Sequence, residues 1–237
     1  IYPVRADGTL APASDVVVLE RLSGPDPIAQ QSAHAHSVNF DPSNSFVIVC
    51  DKGADRIYTY RVDPGSFTLT DEKFFETVPG ISPRHSAFHP TRPYVFVINE
   101  RASTVSSLEY DASTREVNHI QSIATIPSDF TTRNTTADIR VHPNGRFVYG
   151  SNRDHDSIAI YSVDEATGEL MTIDIVSTLG QTPRGFNFDP SGRYIFVANQ
   201  GSNSIVTFEV NPDSGMLTPT GAEAEALKPA CIKFLTV

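Results

Sequence analysis

The chain has 237 residues, with 18 Lys and Arg against 28 Asp and Glu, for a formal net charge of −10. That balance lacks the basic footprint of a nucleic-acid binder, and no apolar run approaches the roughly 20 residues of a membrane-spanning helix. At 39% hydrophobic and 19% charged residues, the chain is composed like a folded globular protein rather than a disordered one.

Residues 1–35 open with "IYPVRADGTLAPASDVVVLE", which reads as the third and fourth strands of a unit preceding the first full one. No leader pattern of charged, then apolar, then small residues is visible there, so the expected compartment is the cytoplasm. Ile1 is not Met, which leaves upstream processing open. At His36 a fuller unit begins, "HSVNFDPSNSFVIVCDKGADRIYTYRVD". A short alternating strand ends at Asp41-Pro42, where proline presets φ for a tight turn. The β-branched and aromatic run Phe46-Val47-Ile48-Val49 is a second strand. A polar loop from Lys52 to Asp55 leads to a third strand at Ile57-Tyr58-Thr59-Tyr60, and a turn at Pro64-Gly65 leads to a looser fourth.

The same grammar recurs in "RHSAFHPTRPYVFVINERASTVSSLEYD" from Arg84, "ADIRVHPNGRFVYGSNRDHDSIAIYSVD" from Ala137 and "RGFNFDPSGRYIFVANQGSNSIVTFEVN" from Arg184. The predicted units are 36–83, 84–136, 137–183 and 184–229, and "ACIKFLTV" at 230–237 reads as the first strand of another. Pro42, Pro90, Pro143 and Pro190 anchor the repeat at steps of 48, 53 and 47 residues. Four antiparallel strands repeated at that spacing, with no helical periodicity, predict an all-β fold: one β-propeller domain over residues 1–237. A stack of β-sandwiches does not explain the repeat. Cys50 and Cys231 lie in apolar strand-like stretches and are expected to be buried reduced thiols, a disulfide between them being the alternative. Asn134-Thr135-Thr136 is a glycosylation sequon that matters only in a secreted protein.

The stretches "HAHSVNFDP", "PRHSAFHP", "VINE", "TTRNTTADIRVHPNGRFVYGSNR" and "QTPRGFNFDPSGRYIFVANQ" resemble the bacterial-type 6-phosphogluconolactonase and carboxymuconate-cyclase family of seven-bladed propellers. The resemblance runs the length of the chain and includes the residues that interrupt the repeat. It implies about two further blades on the N-terminal side, and hence a longer protein, because an open ring leaves apolar faces and strand edges uncovered.

In a propeller the first strand of each blade lines the central channel, and the second-to-third loop opens on the same face. Aligned on the prolines, the approach to the inner strand carries His36, Arg84, Ala137 and Arg184, followed by Ser37, His85, Asp138 and Gly185. The exit of the second strand carries Asp51-Lys52, Asn99-Glu100, Asn152-Arg153 and Asn199-Gln200, and Arg133 lies in the loop before the third unit. Arginine recognises carboxylate or phosphate bidentately, and a focused cationic pocket concentrates an anionic substrate. The family resemblance implies a catalytic set at His36, Arg84 and Glu100, with a further arginine at Arg184. His85, Arg133, Asp138, Asn152, Arg153 and Gln200 are the candidate substrate-binding residues. Lactone hydrolysis needs an activated water, an oxyanion stabiliser and a proton for the leaving alkoxide. Glu100 or His36 is the candidate base or acid, and Arg84 the candidate oxyanion stabiliser. Arg184 and Arg133 are the candidate holders of the substrate's anionic group.

Plainer readings stand beside these. Arg84 and Glu100 could form only a salt bridge between blades. His34, His36 and His85 lack a secure carboxylate partner for a metal site, so no metal and no cofactor is predicted. His89 and His142 precede the anchoring prolines and read as turn residues. His155 reads as solvated, with Asp154 and Asp156 beside it as possible cation ligands. No Gly-rich phosphate loop, Cys-x-x-Cys pair or GxSxG elbow is present, which points away from serine nucleophilic catalysis. The expected function is hydrolysis of a small anionic lactone such as 6-phosphogluconolactone. A muconate-type cycloisomerase and a non-catalytic binding propeller are the alternatives. The oligomeric state is left open.

Overall fold

The structure is a computed structural model that describes residues 1–19 and 22–235. Four sheets follow one another along the chain. The first comprises β1 (Ala35–Phe40), β2 (Phe46–Asp51), β3 (Arg56–Asp63) and β4 (Thr68–Glu76). The second comprises β5 (Pro83–Phe88), β6 (Tyr94–Asn99), β7 (Thr104–Tyr110) and β8 (Val117–Ala124). In the third are β9 (Thr136–Val141), β10 (Phe147–Asn152), β11 (Ser157–Val163) and β12 (Leu170–Ser177). The fourth holds β13 (Pro183–Phe188), β14 (Tyr194–Asn199), β15 (Ser204–Val210) and β16 (Leu217–Glu225). Every sheet is an antiparallel meander, and the first strands β1, β5, β9 and β13 lie side by side in order. This is the arrangement of propeller blades around a channel.

Burial follows from stacking blade on blade. β2, β6 and β10 are buried along their whole length because both faces of each meet a neighbour. Phe46, Ile48, Val95 and Leu108 form the layer between the first two blades, and Phe96, Ile98, Val148 and Tyr161 the layer between the second and third. Tyr149, Ile160, Phe186 and Phe208 fill the layer between the third and fourth. The fourth strands face outward, and β16 is exposed beyond Leu217.

The residue before each anchoring proline closes the turn between first and second strands. Asp41 accepts the backbone N–H groups of Ser43, Ser45 and Phe46, and Asp189 those of Ser191 and Tyr194. His89 Nδ1 accepts from Thr91 and Arg92, and His142 Nδ1 from Asn144. Asp and His substitute for each other at this position because both present an acceptor at the same reach.

The chain's two ends depart from expectation. Residues 1–19 form no strand, only a single bridge between Val4 and Leu10. Residues 230–235 are not a strand either. They nevertheless lie where a fifth inner strand belongs: Asn187 donates to the Ile232 carbonyl at 3.2 Å. That bond repeats the one from Asn39 to Ser86 at 3.1 Å and the one from Arg140 to Phe186 at 3.3 Å. Gly185 admits the segment, since a Cβ there would lie 2.5 Å from the Ala230 carbonyl oxygen. Residues 20, 21, 236 and 237 of the predicted terminal units lie outside the described residues. Cys50 is buried, but Cys231 is exposed on this segment and both thiols are free, which corrects the expectation of two buried cysteines. Asn134 of the sequon is buried, and its amide donates to Ser103 and Asn152. The described residues contain no helix long and apolar enough to cross a membrane.

Candidate active site

The inner-strand approach and the second-strand exit of successive blades meet at one end of the channel, and Glu100 is their centre. Arg84 Nε donates to Glu100 Oε2 at 2.9 Å from within the same blade. Lys52 Nζ of the preceding blade lies 3.2 Å from both carboxylate oxygens, and Arg153 Nη2 of the following blade lies 3.3 Å from Oε1. Burial works against an ionised Glu100, but Arg153, Lys52 and Arg84 overcome it and hold the carboxyl at about 2. Lys52, Glu100 and Arg153 occupy the same position in three consecutive repeats, so a single sequence column has become an arc of alternating charge.

Arg84 is only 2% exposed. Its Nη1 donates to the Ala137 carbonyl on the next inner strand and lies 3.4 Å from His85 Nε2. Burial and the proximity of Arg153 lower its guanidinium to about 10, which still leaves it charged at neutral pH. Arg184 is half-buried, has no hydrogen-bond partner among the described residues, and is close enough to Arg84 to act on it electrostatically. Three cations therefore surround the Glu100 carboxylate, with Arg184 as a fourth beside Arg84, in a protein of net charge −10.

A second line of polar groups crosses the same blades one residue further along. His85 Nδ1 lies 2.8 Å from Asp138 Oδ1. Asp138 also receives the Ile139 and Phe186 backbone N–H groups and Arg140 Nη2. Burial alone would raise its carboxyl, but the His85 hydrogen bond and Arg140 bring it below the ordinary carboxylate value. The His36 ring stands 5.1 Å from His85 and 6.1 Å from His34, centroid to centroid. Burial, with Arg84, His85 and Lys52 nearby, pushes His36 down to about 3, so its imidazole is neutral at physiological pH. Its Nδ1 is buried without a partner. Among the described residues, no group of three or more His, Cys, Asp or Glu side chains could hold a metal ion.

His36, Arg84, His85, Glu100, Asp138, Arg153 and Arg184 are thus brought together. Gln200 holds the fourth-blade position of the Lys52–Glu100–Arg153 column, half-buried, with its backbone N–H bonded to the Thr182 carbonyl. Arg133 and Asn152 fall elsewhere. Arg133 is exposed in a separate cleft with Arg101, Ser103 and Thr135. Asn152 is fully buried, and its amide is used up by Thr125, Asn134 and Ser157. It is a strut rather than a ligand contact, as are Asn99 and Asn199 at the same position. Alternation along the strand exit explains the difference: one residue turns into the blade and the next into the channel. His155 packs edge-on against Phe130 at 4.6 Å, so it is not simply solvated. Sequence reasoning aligned Lys52 with Glu100 at the second-strand exit without giving it a role in the site, and it left out Arg140.

Residues 1–234 match the family described as lactonase, 7-bladed β-propeller. A 6-phosphogluconolactonase of Bacillus subtilis is 37% identical over 236 residues, covering 99% of this chain and 66% of the relative's own length. A crystal structure of a protein from Lactobacillus plantarum superimposes with a TM-score of 0.93 at 32% identity, over 99% of this chain and 67% of that one. A periplasmic gluconolactonase of Pseudomonas aeruginosa gives 0.91 at 30% identity, over 100% of this chain and 66% of that one. The chain thus spans about two thirds of the length of these relatives.

Proposed function

The chain belongs to the seven-bladed β-propeller lactonase family, and on that premise we propose that the cluster around Glu100 binds and hydrolyses a sugar lactone bearing phosphate or carboxylate, with 6-phosphogluconolactone as the leading substrate. The observation that supports this reading is the surplus of cation: Lys52, Arg84 and Arg153 converge on the carboxylate of Glu100, and Arg184 adds its charge beside Arg84. A structural salt bridge needs one partner. Arg184 has no side-chain partner among the described residues.

Arg84 is the oxyanion stabiliser. It is fixed on two sides by Glu100 and the Ala137 carbonyl, so it needs no reorganisation as charge develops on the lactone carbonyl oxygen. Arg184, half-buried at the channel entrance, takes the substrate's anionic group, for which its planar fork is suited. Glu100 orients Arg84, Lys52 and Arg153 rather than moving a proton, because three cations keep it ionised. Lys52 adds a second positive charge at the carbonyl.

Steady-state hydrolysis of 6-phosphogluconolactone and of unphosphorylated gluconolactone by the full-length protein tests the reading. Arg84→Ala should lower kcat by about 10²–10³, the usual cost of a lost oxyanion donor. Arg184→Ala should raise KM for the phosphorylated lactone and shrink its advantage over the neutral one. Absence of hydrolysis by the unaltered protein, or an Arg84→Ala variant of undiminished kcat, would overturn the proposal.

A further inference from the structure

A lactone opens only if some group takes a proton from the attacking water and returns one to the ring oxygen. Glu100 is poorly suited because giving it a proton means displacing its three cations. His36 is equally poor, since no carboxylate is bonded to its ring to stabilise an imidazolium: its Nδ1 is buried without a partner, and Arg84 and Lys52 act against the charged form. His85 differs in geometry. Its Nδ1 is engaged by Asp138, which is 3% exposed and anchored by two backbone N–H groups and Arg140. Its side chain is 25% exposed, and its Nε2 lies beside Arg84 Nη1 at 3.4 Å.

We propose that His85 is the general base of the lactonase reaction and that Asp138 is its positioning residue. This inference rests on the lactonase reading above. An ionised Asp138 selects the Nδ1–H tautomer, which leaves Nε2 as an acceptor that faces Arg84 Nη1 only at 3.4 Å and can turn to the water, and it stabilises the imidazolium once it forms. Because Asp138 sits on β9 and His85 on β5, the pair spans two blades, as the Glu100–Arg153 pair does. Arg84 stands between the two pairs and brings the oxyanion stabiliser next to the base. In the reaction, the water oxygen bonds to the lactone carbonyl carbon while Nε2 takes one water proton. The bond from that carbon to the ring oxygen then breaks, and the imidazolium passes the proton to the departing alkoxide. The resulting carboxylic acid loses its proton to solvent. No oxidant, reductant or co-reactant beyond water is required.

The charged and titratable groups facing His85 are Arg84 on its own strand, His36 on β1 and Asp138 on β9, which Arg140 pairs from its other oxygen. The experiment is the pH profile of lactone hydrolysis by the full-length protein and its His85→Gln and Asp138→Asn variants. His85→Gln should lower kcat by about 10²–10⁴, with KM little changed, and should abolish the loss of activity on the acid side. Asp138→Asn should lower kcat while keeping an acid limb at a shifted pH. A His85→Gln variant with unchanged kcat, or with its acid limb intact, overturns the assignment. Should either variant fail to fold, ¹⁵N NMR of the unaltered protein decides: an Nδ1–H tautomer at His85 supports the pair, and an Nε2–H tautomer overturns it. Inactivity of the unaltered protein would instead remove the lactonase reading, and the base role with it, so the two failures are told apart.

Discussion

His36 shows how a single residue couples the site to stability. Its ordinary pKa of 6.5 applies to the unfolded chain, whereas burial and neighbouring cations hold it at about 3 in the fold. Between those values the unfolded state binds the extra proton, so stability falls as pH drops from about 6.5 toward 3. Glu100 acts lower on the scale: its folded value of about 2 against an ordinary 4.5 contributes stability above pH 4.5 that is lost as pH falls toward 2. The thermal midpoint should therefore decline from pH 6.5 downward, and His36→Asn should flatten the decline between pH 6.5 and 4.5. An unchanged slope in that variant would remove His36 as the cause. At this scale much of the site was legible, because Arg84, Glu100, Arg153 and Arg184 occupy repeat columns that the propeller converts into neighbours. Asn152 was misread through strand alternation, which sends it inward and Arg153 outward. Arg133 was misplaced because it lies in the longest repeat step, where extra residues break the column.

At the level of elements, the crossovers that deliver each inner strand share a device the sequence did not advertise. The last residue of every second-to-third loop, Asp55, Ser103, Asp156 or Asn203, has a left-handed φ between 51° and 58°. Its backbone carbonyl accepts the chain arriving from the fourth strand. Asp55 also accepts the Gly80 and Ser82 N–H groups with its two oxygens, and Ser82 is held at φ 56° two residues before Arg84. Asp156 does the same for Thr182, φ 56°, two residues before Arg184. Where no arginine follows, before Ala137 and Ala230, the residue is Ser103 or Asn203, and Asn203 accepts Lys228 N–H with one amide oxygen. An amide has one acceptor oxygen where a carboxylate has two. Asp156→Asn should thus be close to neutral, with Asn203 as its precedent. Asp55→Asn should leave a buried N–H unpaired, at a cost of about 1–3 kcal/mol. Denaturant midpoints of the two variants check this, and equal losses would show that the second bond to Asp55 carries no weight. The strands themselves were readable from β-branched runs closed by Asp-Pro or His-Pro turns. The terminal ones were not, because a strand is a property of a pair: 1–19 and 230–235 have the composition without a ladder partner.

For the whole molecule, two opposing fields meet an approaching anion. The net charge of −10 repels it from a distance, while Lys52, Arg84, Arg153 and Arg184 attract it at contact. Distance decides between them. At about 0.1 M salt, charges more than roughly 10 Å from the anion are largely screened, so most of the dispersed surface acids contribute little. Two unit charges about 4 Å apart near a protein surface still interact by about 4 kcal/mol. The cluster should therefore govern capture, and it is partly shielded from salt by the blades around it. Raising ionic strength from about 0.05 to 0.5 M should lower kcat/KM for a phosphorylated lactone, because steering weakens with screening. The value for a neutral lactone should hold steady, and Arg184→Gln should flatten the response of the charged one. If added salt instead accelerated turnover of the phosphorylated lactone, repulsion by the overall charge would be the dominant field, and the cluster could not be the feature that selects an anion.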